Sequence, residues 1–428
     1  MKKRVRFILR QAALLLMILV LCASCAPAKQ AVSDYVEKEH RPGVPEGPFV
    51  VANSTVGVTG DILVHTPLIT SAARIDYDFS ENYTHITDYY SRYDLMIANL
   101  EVTLGGTEAG AYVGYPTFNC PDTVIDALQG AGVDMVLTAN NHTYDTFYHG
   151  LTRTQQVLKE KGMAYTGTRL SETDKNYIMR DVDGISLGMA CYTYETEKTS
   201  DGRKTLNGIP LKAEACPLVN SFNYSDLESF YREVETTLAA MKAEGADATM
   251  LFIHWGEEYQ LKPNKKQKTI AARLNELGVD VIVGGHPHVL QPMEVLTAEN
   301  GHKTYCVYSV GNAVSNQRRD RISSAPNGHT EDGMVFEITF QKWSDGRVEV
   351  SAMDILPTWV NMEYEGGRRV YTIIPLDTEA KDLSVFGVNS LRSLTSSYDR
   401  IMDVVGEGLN ACRETLGIKE VPAALIAE

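Results

Sequence analysis

Four of the ten histidines in this chain stand where short apolar runs stop, and carboxylates and asparagines stand at other such stops. Gly60-Asp61 follows Ser54–Val58, Asn99-Leu100-Glu101 follows Leu95–Ala98, and Asn140-Asn141-His142 follows Met135–Thr138. His254 follows Met250–Ile253 and leads to Glu257-Glu258, and Gly284-Gly285-His286-Pro287-His288 follows Val279–Val283. Imidazole, carboxylate and amide oxygen together suit divalent manganese, zinc or iron. A carboxylate bridging two such ions, about 3.5–4 Å apart, would let the pair activate water for hydrolysis. H-x-H at a strand end turns both rings to one side, and Gly284-Gly285 is expected to supply the sharp turn before them. Each motif alone has a plainer reading. Gly-Asp is an ordinary turn, Asn-Asn an αL turn, a single histidine a satisfied core residue, and Glu258 a surface carboxylate. Recurrence at successive strand ends outweighs these. Asp61, Glu101, Asn141, His142, His254, His286 and His288 are therefore the candidate metal-site residues, and Glu258 is a candidate base or a partner orienting a histidine.

The elements that would position them are legible from periodicity. Runs of four to six apolar residues between turn signals suit strands buried on both faces. Between them Val124–Ala131, Leu151–Lys161, Leu227–Glu244 and Lys268–Leu277 show helical spacing. Strand alternates with helix, so the class is α/β, where ligands bind beyond the carboxyl ends of strands. Towards the C-terminus, Val348–Asp354 alternates like an antiparallel edge strand and Leu383–Leu416 reads as one or two amphipathic helices, an extension over 346–428 packed on the body.

At the N-terminus a basic stretch (Lys2, Lys3, Arg4, Arg6, Arg10) precedes apolar Ala12–Leu21 and Cys22-Ala23-Ser24-Cys25. This is a signal-peptide layout over 1–25, and Ala23-Ser24-Cys25 resembles a bacterial lipobox, with Cys25 acylated. The body is then expected outside the cytoplasm, at the cell membrane where the lipid or an uncleaved anchor holds it; ordinary secretion after signal cleavage is the plainer reading. Residues 26–48, studded with Pro27, Pro42, Pro45 and Pro48, read as a linker. The net charge of −15 argues against general nucleic-acid binding. Cys120, Cys191, Cys216, Cys306 and Cys412 are widely spaced and contain no C-x-x-C pair, so a thiolate zinc site is not expected.

Taken in order, Gly60-Asp61-Ile62, Asn99-Leu100-Glu101, Asn140-Asn141-His142-x-x-Asp145, His254-Trp255-Gly256-x-Glu258, Gly285-His286-Pro287-His288 and Tyr308-Ser309-x-Gly311-Asn312 resemble the motif series of the CapA/PgsA family of capsule and poly-γ-glutamate synthesis proteins, relatives of calcineurin-like metallophosphoesterases. The resemblance implies a four-layer α/β/β/α metallo-dependent phosphatase-like sandwich over 49–345. It implies that Asp61 and His288 bind one ion, that Asn141, His254 and His286 bind another, and that Glu101 bridges them. His142 would sit where phosphoesterases place a general acid. The phosphoesterase D-x-H pattern is broken, because Leu63 stands at its third position. One tightly held ion is expected, with a second weak or absent; His65 is the nearest replacement ligand. The implied partners are an anionic polymer such as poly-γ-glutamate and membrane-embedded synthase subunits. On so acidic a chain, Lys265 and Lys266 after the His254 loop, and Arg318 and Arg319 after the Asn312 loop, are the expected steering residues. Three classes stay open: a metal-dependent hydrolase or transferase, a non-hydrolytic polymer-guiding subunit, and a surface protein on an enzyme-derived scaffold.

Overall fold

The computed structural model describes residues 47–418 except 323, 326, 378–385 and 387–390. Cys25, the export segment and nearly all of the expected linker lie outside the described residues, as does the start of the expected C-terminal helical stretch. The chain divides into two compact units, 1–49 and 50–428, and everything below concerns the second.

Two sheets face each other. The first contains β1 (Val50–Ile62), β2 (Leu95–Leu100), β3 (Met135–Leu137) and β4 (Ala164–Thr166). The second contains β5 (Ile178–Val182) and β6 (Ile185–Tyr194), and a small ribbon of β7 (Thr205–Leu206) and β8 (Ile209–Pro210) precedes β9 (Ser221–Phe222). The second sheet continues with β10 (Ala248–His254), β11 (Val281–Gly285), β12 (Leu290–Thr297) and β13 (Lys303–Val310). The chain then returns to the first sheet through β14 (Asn312–Val314), β15 (Asp332–Trp343), β16 (Val348–Glu365) and β17 (Arg368–Pro375). The first sheet is ordered β17-β16-β15-β1-β2-β3-β4 with β14 beside β1; the second is β12-β13-β11-β10-β6-β5 with β9 beside β6.

Alternation along the strands builds the layers. Met250 and Phe252 of β10 join Val56, Val58, Leu95 and Ile97 of the first sheet in the core between the sheets. Leu251 and Ile253 face the other way, into a cluster with Phe230, Val234, Ile270 and Leu274 of the helices Leu227–Ala243 and Lys265–Glu276. Met96, Ala98 and Val136 similarly face Val124, Leu128 and Leu158 of the helices Thr123–Gly130 and Phe147–Glu160. Strands that are apolar on both faces must be covered on both, which is why the chain forms four layers, helices/sheet/sheet/helices. Each side chain so buried contributes about 1.5–3 kcal/mol.

The expected antiparallel edge strand is the first part of a longer one. Residues 348–365 form one long strand whose Val348–Asp354 stretch pairs antiparallel with β15 alone and whose Thr358–Glu365 stretch pairs with β17. Beyond Asp354, Ile355 and Trp359 face the core between the sheets, while Leu356 and Val360 face the outer helical layer. The helix Leu391–Thr415 then covers part of the sandwich, and Asp332 at the start of β15 receives Arg400 and Ser397 from it. The five cysteines 120, 191, 216, 306 and 412 are unpaired, and all but Cys216 are buried. Among the described residues no helix is long and apolar enough to cross a membrane.

Candidate metal centre

The carboxyl ends of the central strands from both sheets converge. Asp61 lies near the end of β1, in register with Asn99 of β2 on one side and Asn312 of β14 on the other. Glu101 is the first residue past β2, Asn140–His142 follow β3, His254 is the last residue of β10, and His286 and His288 follow β11. Parallel pairing of β10 with β11 sets His254 opposite Gly285 and thus beside His286. The rings of His254 and His286 lie 5.0 Å apart between centroids, those of His286 and His288 5.9 Å.

Two sets of donors converge there: Glu101, His254 and His286 form one, and Asp61, Glu101 and His288 the other, each with ligand atoms within 4.8 Å of one another. Glu101 belongs to both. Asn141 Oδ1 is 2.7 Å from His254 Nε2, which is 3.4 Å from Glu101 Oε1, so the amide joins the first set. All six expected ligands are therefore gathered at one place, and all are buried. His65 belongs to neither set: its Nδ1 accepts from the Asn316 amide at 3.2 Å, and its ring abuts Phe118. Leu63 is buried in an outer apolar cluster with Ile62, Val64 and Leu68.

The polar groups around the cluster are ordered by one another. The Asn99 amide donates to Asp61 Oδ1 at 2.7 Å and to Glu101 Oε2 at 3.3 Å, and Asn140 Nδ2 donates to Asn99 Oδ1, which fixes that amide's orientation. His288 Nδ1 lies 3.1 Å from both Asp61 Oδ2 and Asn312 Oδ1. Facing two acceptors, it carries the ring proton, so the Nε2 lone pair is the free one. The Tyr194 hydroxyl lies 3.3 Å from His286 Nε2, while His286 Nδ1 and Glu101 Oε1 are buried without any hydrogen-bond partner. Such orphans are costly unless something else satisfies them, and a cation does so for a lone pair and a carboxylate oxygen at once. On that ground the donor set fits a divalent metal.

The titration behaviour agrees with neutral imidazoles around a carboxylate that lacks compensation. Burial pushes His254 down to about 3, and pushes His286 well below the usual histidine range. Burial, reinforced by the charge of Asp61, raises Glu101 well above the usual carboxylate range. Burial alone would raise Asp61, yet the hydrogen bonds from His288 and Asn99 help hold it below its ordinary value.

The turn before the two histidines is made differently from expectation. Gly284 and Gly285 have ordinary backbone angles, and the left-handed conformations fall on His286 (φ 96°) and His288 (φ 56°). The glycines are needed for space: a Cβ on Gly284 would meet the Tyr308 carbonyl oxygen at 2.0 Å, and one on Gly285 would approach Asp61 Oδ1 to 3.1 Å. A left-handed histidine costs about 1–3 kcal/mol and persists where surrounding structure imposes it, characteristically at functional sites.

His142 is buried beside this cluster, its Nδ1 2.7 Å from Asp145 Oδ2 and its ring edge-on to Phe118. Asp145 Oδ2 also accepts from the Phe118 amide at 2.6 Å, and burial raises its carboxyl. Glu258 is exposed and hydrogen-bonded to the Tyr259 hydroxyl, close enough for its charge to help raise Glu101. The basic candidates divide. Lys265 and Lys266 are exposed at the start of their helix, and Lys266 Nζ sits 4.6 Å over the Tyr224 ring, which stacks on Tyr194 beside His286. Arg318 and Arg319 instead flank the buried Glu331, at 3.5 and 2.8 Å.

The match to known proteins agrees with the motif order. Residues 55–317, more than half of the chain, match the family model described as bacterial capsule synthesis protein PGA_cap. The chain belongs to this capsule synthesis family. Among family relatives, it is 28% identical over 233 residues to the PGA biosynthesis protein CapA of Bacillus subtilis (strain 168), covering 54% of this chain and 53% of that protein. It is 27% identical over 286 residues to the capsule biosynthesis protein CapA of Bacillus anthracis, covering 65% and 64%. The matched region thus spans about half to two thirds of the length of these curated relatives. A solved structure of Haemophilus influenzae NAD nucleotidase (NadN) aligns over 86% of this chain and 67% of its own at 12% identity, with a TM-score of 0.41.

Proposed function

We propose that this chain acts outside the cytoplasm, held to the cell membrane through Cys25, in the synthesis or export of a capsular polyanion such as poly-γ-glutamate beside membrane-embedded synthase subunits. Its working centre is a divalent manganese, zinc or iron site, tight at Glu101, Asn141, His254 and His286 and weaker at Asp61, Glu101 and His288. One observation carries this reading: a buried carboxylate shared by two converging donor sets, with Glu101 Oε1 and His286 Nδ1 both lacking partners. Family membership supplies the capsular context.

A bound divalent ion supplies Lewis acidity and an acidified water. The protein's own groups would do the rest. Asp145 holds His142 by Nδ1 and leaves Nε2 to give a proton to, or take one from, a reacting amide or phosphoester. Tyr194 and Asn312 orient His286 and His288. A second reading, polymer guidance without hydrolysis, is favoured by Leu63, whose place in the outer apolar cluster leaves the Asp61 side with three donors.

Elemental analysis of the purified full-length chain tests the proposal. One to two equivalents of a transition metal are expected, lost in His254→Ala and in His286→Ala. A chain that takes up no metal after incubation with manganese and zinc would overturn it. In a metal-replete chain, release of glutamate from γ-glutamyl amides or of phosphate from phosphoesters separates hydrolysis from guidance.

A further inference from the structure

The arginines expected to steer a polyanion are held by Glu331, but another cationic group lies at the open edge of the first sheet. The β16–β17 hairpin and the helix Thr66–Ala72 enclose a pocket of about 330 Å³ whose lining includes Arg74, Arg368, Arg369, Ser71 and Tyr364. Arg368 is neutralised there by a two-point contact with Glu81 at 2.5 Å each, and Glu365 lies opposite it in the ladder. Arg74 and Arg369 have no carboxylate within ion-pair distance among the described residues. Arg74 gives one hydrogen bond, to the Gly367 carbonyl at 3.2 Å. Arg369 Nε donates to the Tyr364 hydroxyl at 3.1 Å, its guanidinium lies 5.9 Å from that ring's centroid, and it also donates to the Tyr371 hydroxyl.

A guanidinium carries five N–H donors in a planar fork that matches a carboxylate. Two of them converging on one concavity, with most donors uncommitted, are unusual on a chain of net charge −15. The pocket is also tied to the metal centre by a short piece of chain. Thr66, in its lining, is five residues past Asp61, so their Cα atoms are at most about 18 Å apart.

We propose that this pocket is a carboxylate-binding subsite, with Arg74 and Arg369 gripping a side-chain carboxylate of the polyanion while a neighbouring stretch of the same polymer occupies the metal centre. The assignment rests on the polymer reading given above. An extended chain with a carboxylate on every residue presents the repeated charge that two separated subsites require, and with Arg368 taken up by Glu81 the other two guanidiniums suffice for one such group.

Fluorescence anisotropy of a labelled poly-γ-glutamate oligomer on the full-length, metal-replete chain at low salt tests it. The double variants Arg74→Gln/Arg369→Gln and Arg74→Glu/Arg369→Glu should bind about 10-fold or more weakly, as expected for losing charge-assisted hydrogen bonds. Their salt dependence should be shallower and their metal content unchanged. Should the Glu pair fail to fold, the Gln pair decides, judged by metal content and thermal unfolding. Wild-type affinity in a folded Gln pair would overturn the subsite. If binding is lost in His286→Ala but kept in the arginine variants, the subsite falls and the proposed function stands. If a metal-replete wild-type chain does not bind the oligomer at all, the polymer reading falls and the subsite with it. Competition identifies the ligand: glutarate should displace the oligomer at lower concentration than inorganic phosphate, and the reverse order would overturn the carboxylate assignment.

Discussion

The two halves of the metal cluster share Glu101 and differ in what they leave over. On the His254–His286 side, Asn141 is hydrogen-bonded to His254, but Glu101 Oε1 and His286 Nδ1 have no partner. On the Asp61–His288 side both Asp61 oxygens are already taken, by Asn99 and His288, and His288 Nδ1 also meets Asn312, which leaves only the His288 Nε2 lone pair and the shared Glu101. A cation entering the first half relieves uncompensated groups. One entering the second must compete with hydrogen bonds already in place. The first side offers one carboxylate, two imidazoles and an amide, the second two carboxylates and one imidazole, and the state of their lone pairs separates a tight position from a weak one.

The sharpest way to break that comparison is to remove the shared carboxylate. Glu101→Gln should abolish both positions, weakening the tight one by more than the 10–100-fold (~1.4–2.7 kcal/mol) typical of losing an orienting partner. His288→Ala should remove only the weak one. Manganese and zinc titrations of the stripped full-length chain would show no equivalents in the first variant and one tight equivalent in the second. Equal losses in both would mean that the halves are not distinct.

Much of this centre was legible because it sits where periodicity stops. A run buried on both faces has to end in turn residues, and polar residues recurring at those ends pointed to one rim. Other parts depend on contacts that periodicity does not record. Asn99 had a usable signal, since i and i+2 share a strand face and place it beside Glu101. Asp145, three residues after His142, had a weaker one. Tyr194 had none: it reaches His286 only because β6 pairs with β10. The glycines before His286 read as a sharp turn, whereas close approach to Tyr308 and Asp61 is what requires them. The continuation of β16 was hidden because the alternation stops at Asp354, whereas the strand runs on and Thr358–Glu365 pairs with β17.

Acidity sharpens the comparison by separating the imidazoles from the carboxylate. An unfolded histidine takes a proton near 6.5, whereas burial keeps His254 neutral in the fold down to about 3. The unfolded chain therefore binds more protons between those values. The stability this histidine contributes is complete above 6.5 and is lost as pH falls towards 3. Glu101 has the opposite sign: its raised native value makes its contribution complete below 4.5 and lost as pH rises through that value. Thermal unfolding midpoints of the metal-free chain should fall on acidification below 6.5, less steeply in His254→Leu, while Glu101→Gln should remove a loss at higher pH. Identical slopes in wild type and His254→Leu would refute the buried, neutral imidazole.

The smallest effects are expected at the basic residues, and they test whether a positive charge near the rim serves the fold or a ligand. Glu331 is buried, and burial would raise its carboxyl, yet Arg319 and Arg318 hold it below the usual range. Removing the Arg319 side chain leaves that carboxylate with Arg318, the Trp359 indole N–H at 3.3 Å and the backbone amide of residue 319 at 3.0 Å, so Arg319→Ala should cost about 1–3 kcal/mol in urea unfolding. Lys265 and Lys266 are exposed and support no buried charge. Lys265→Ala/Lys266→Ala should change stability by no more than about 0.5 kcal/mol, because surface substitutions away from such partners are nearly neutral. A stability loss at the lysines as large as at Arg319 would show that charge in this region is structural throughout. The polyanion would then have to be met by the edge arginines alone.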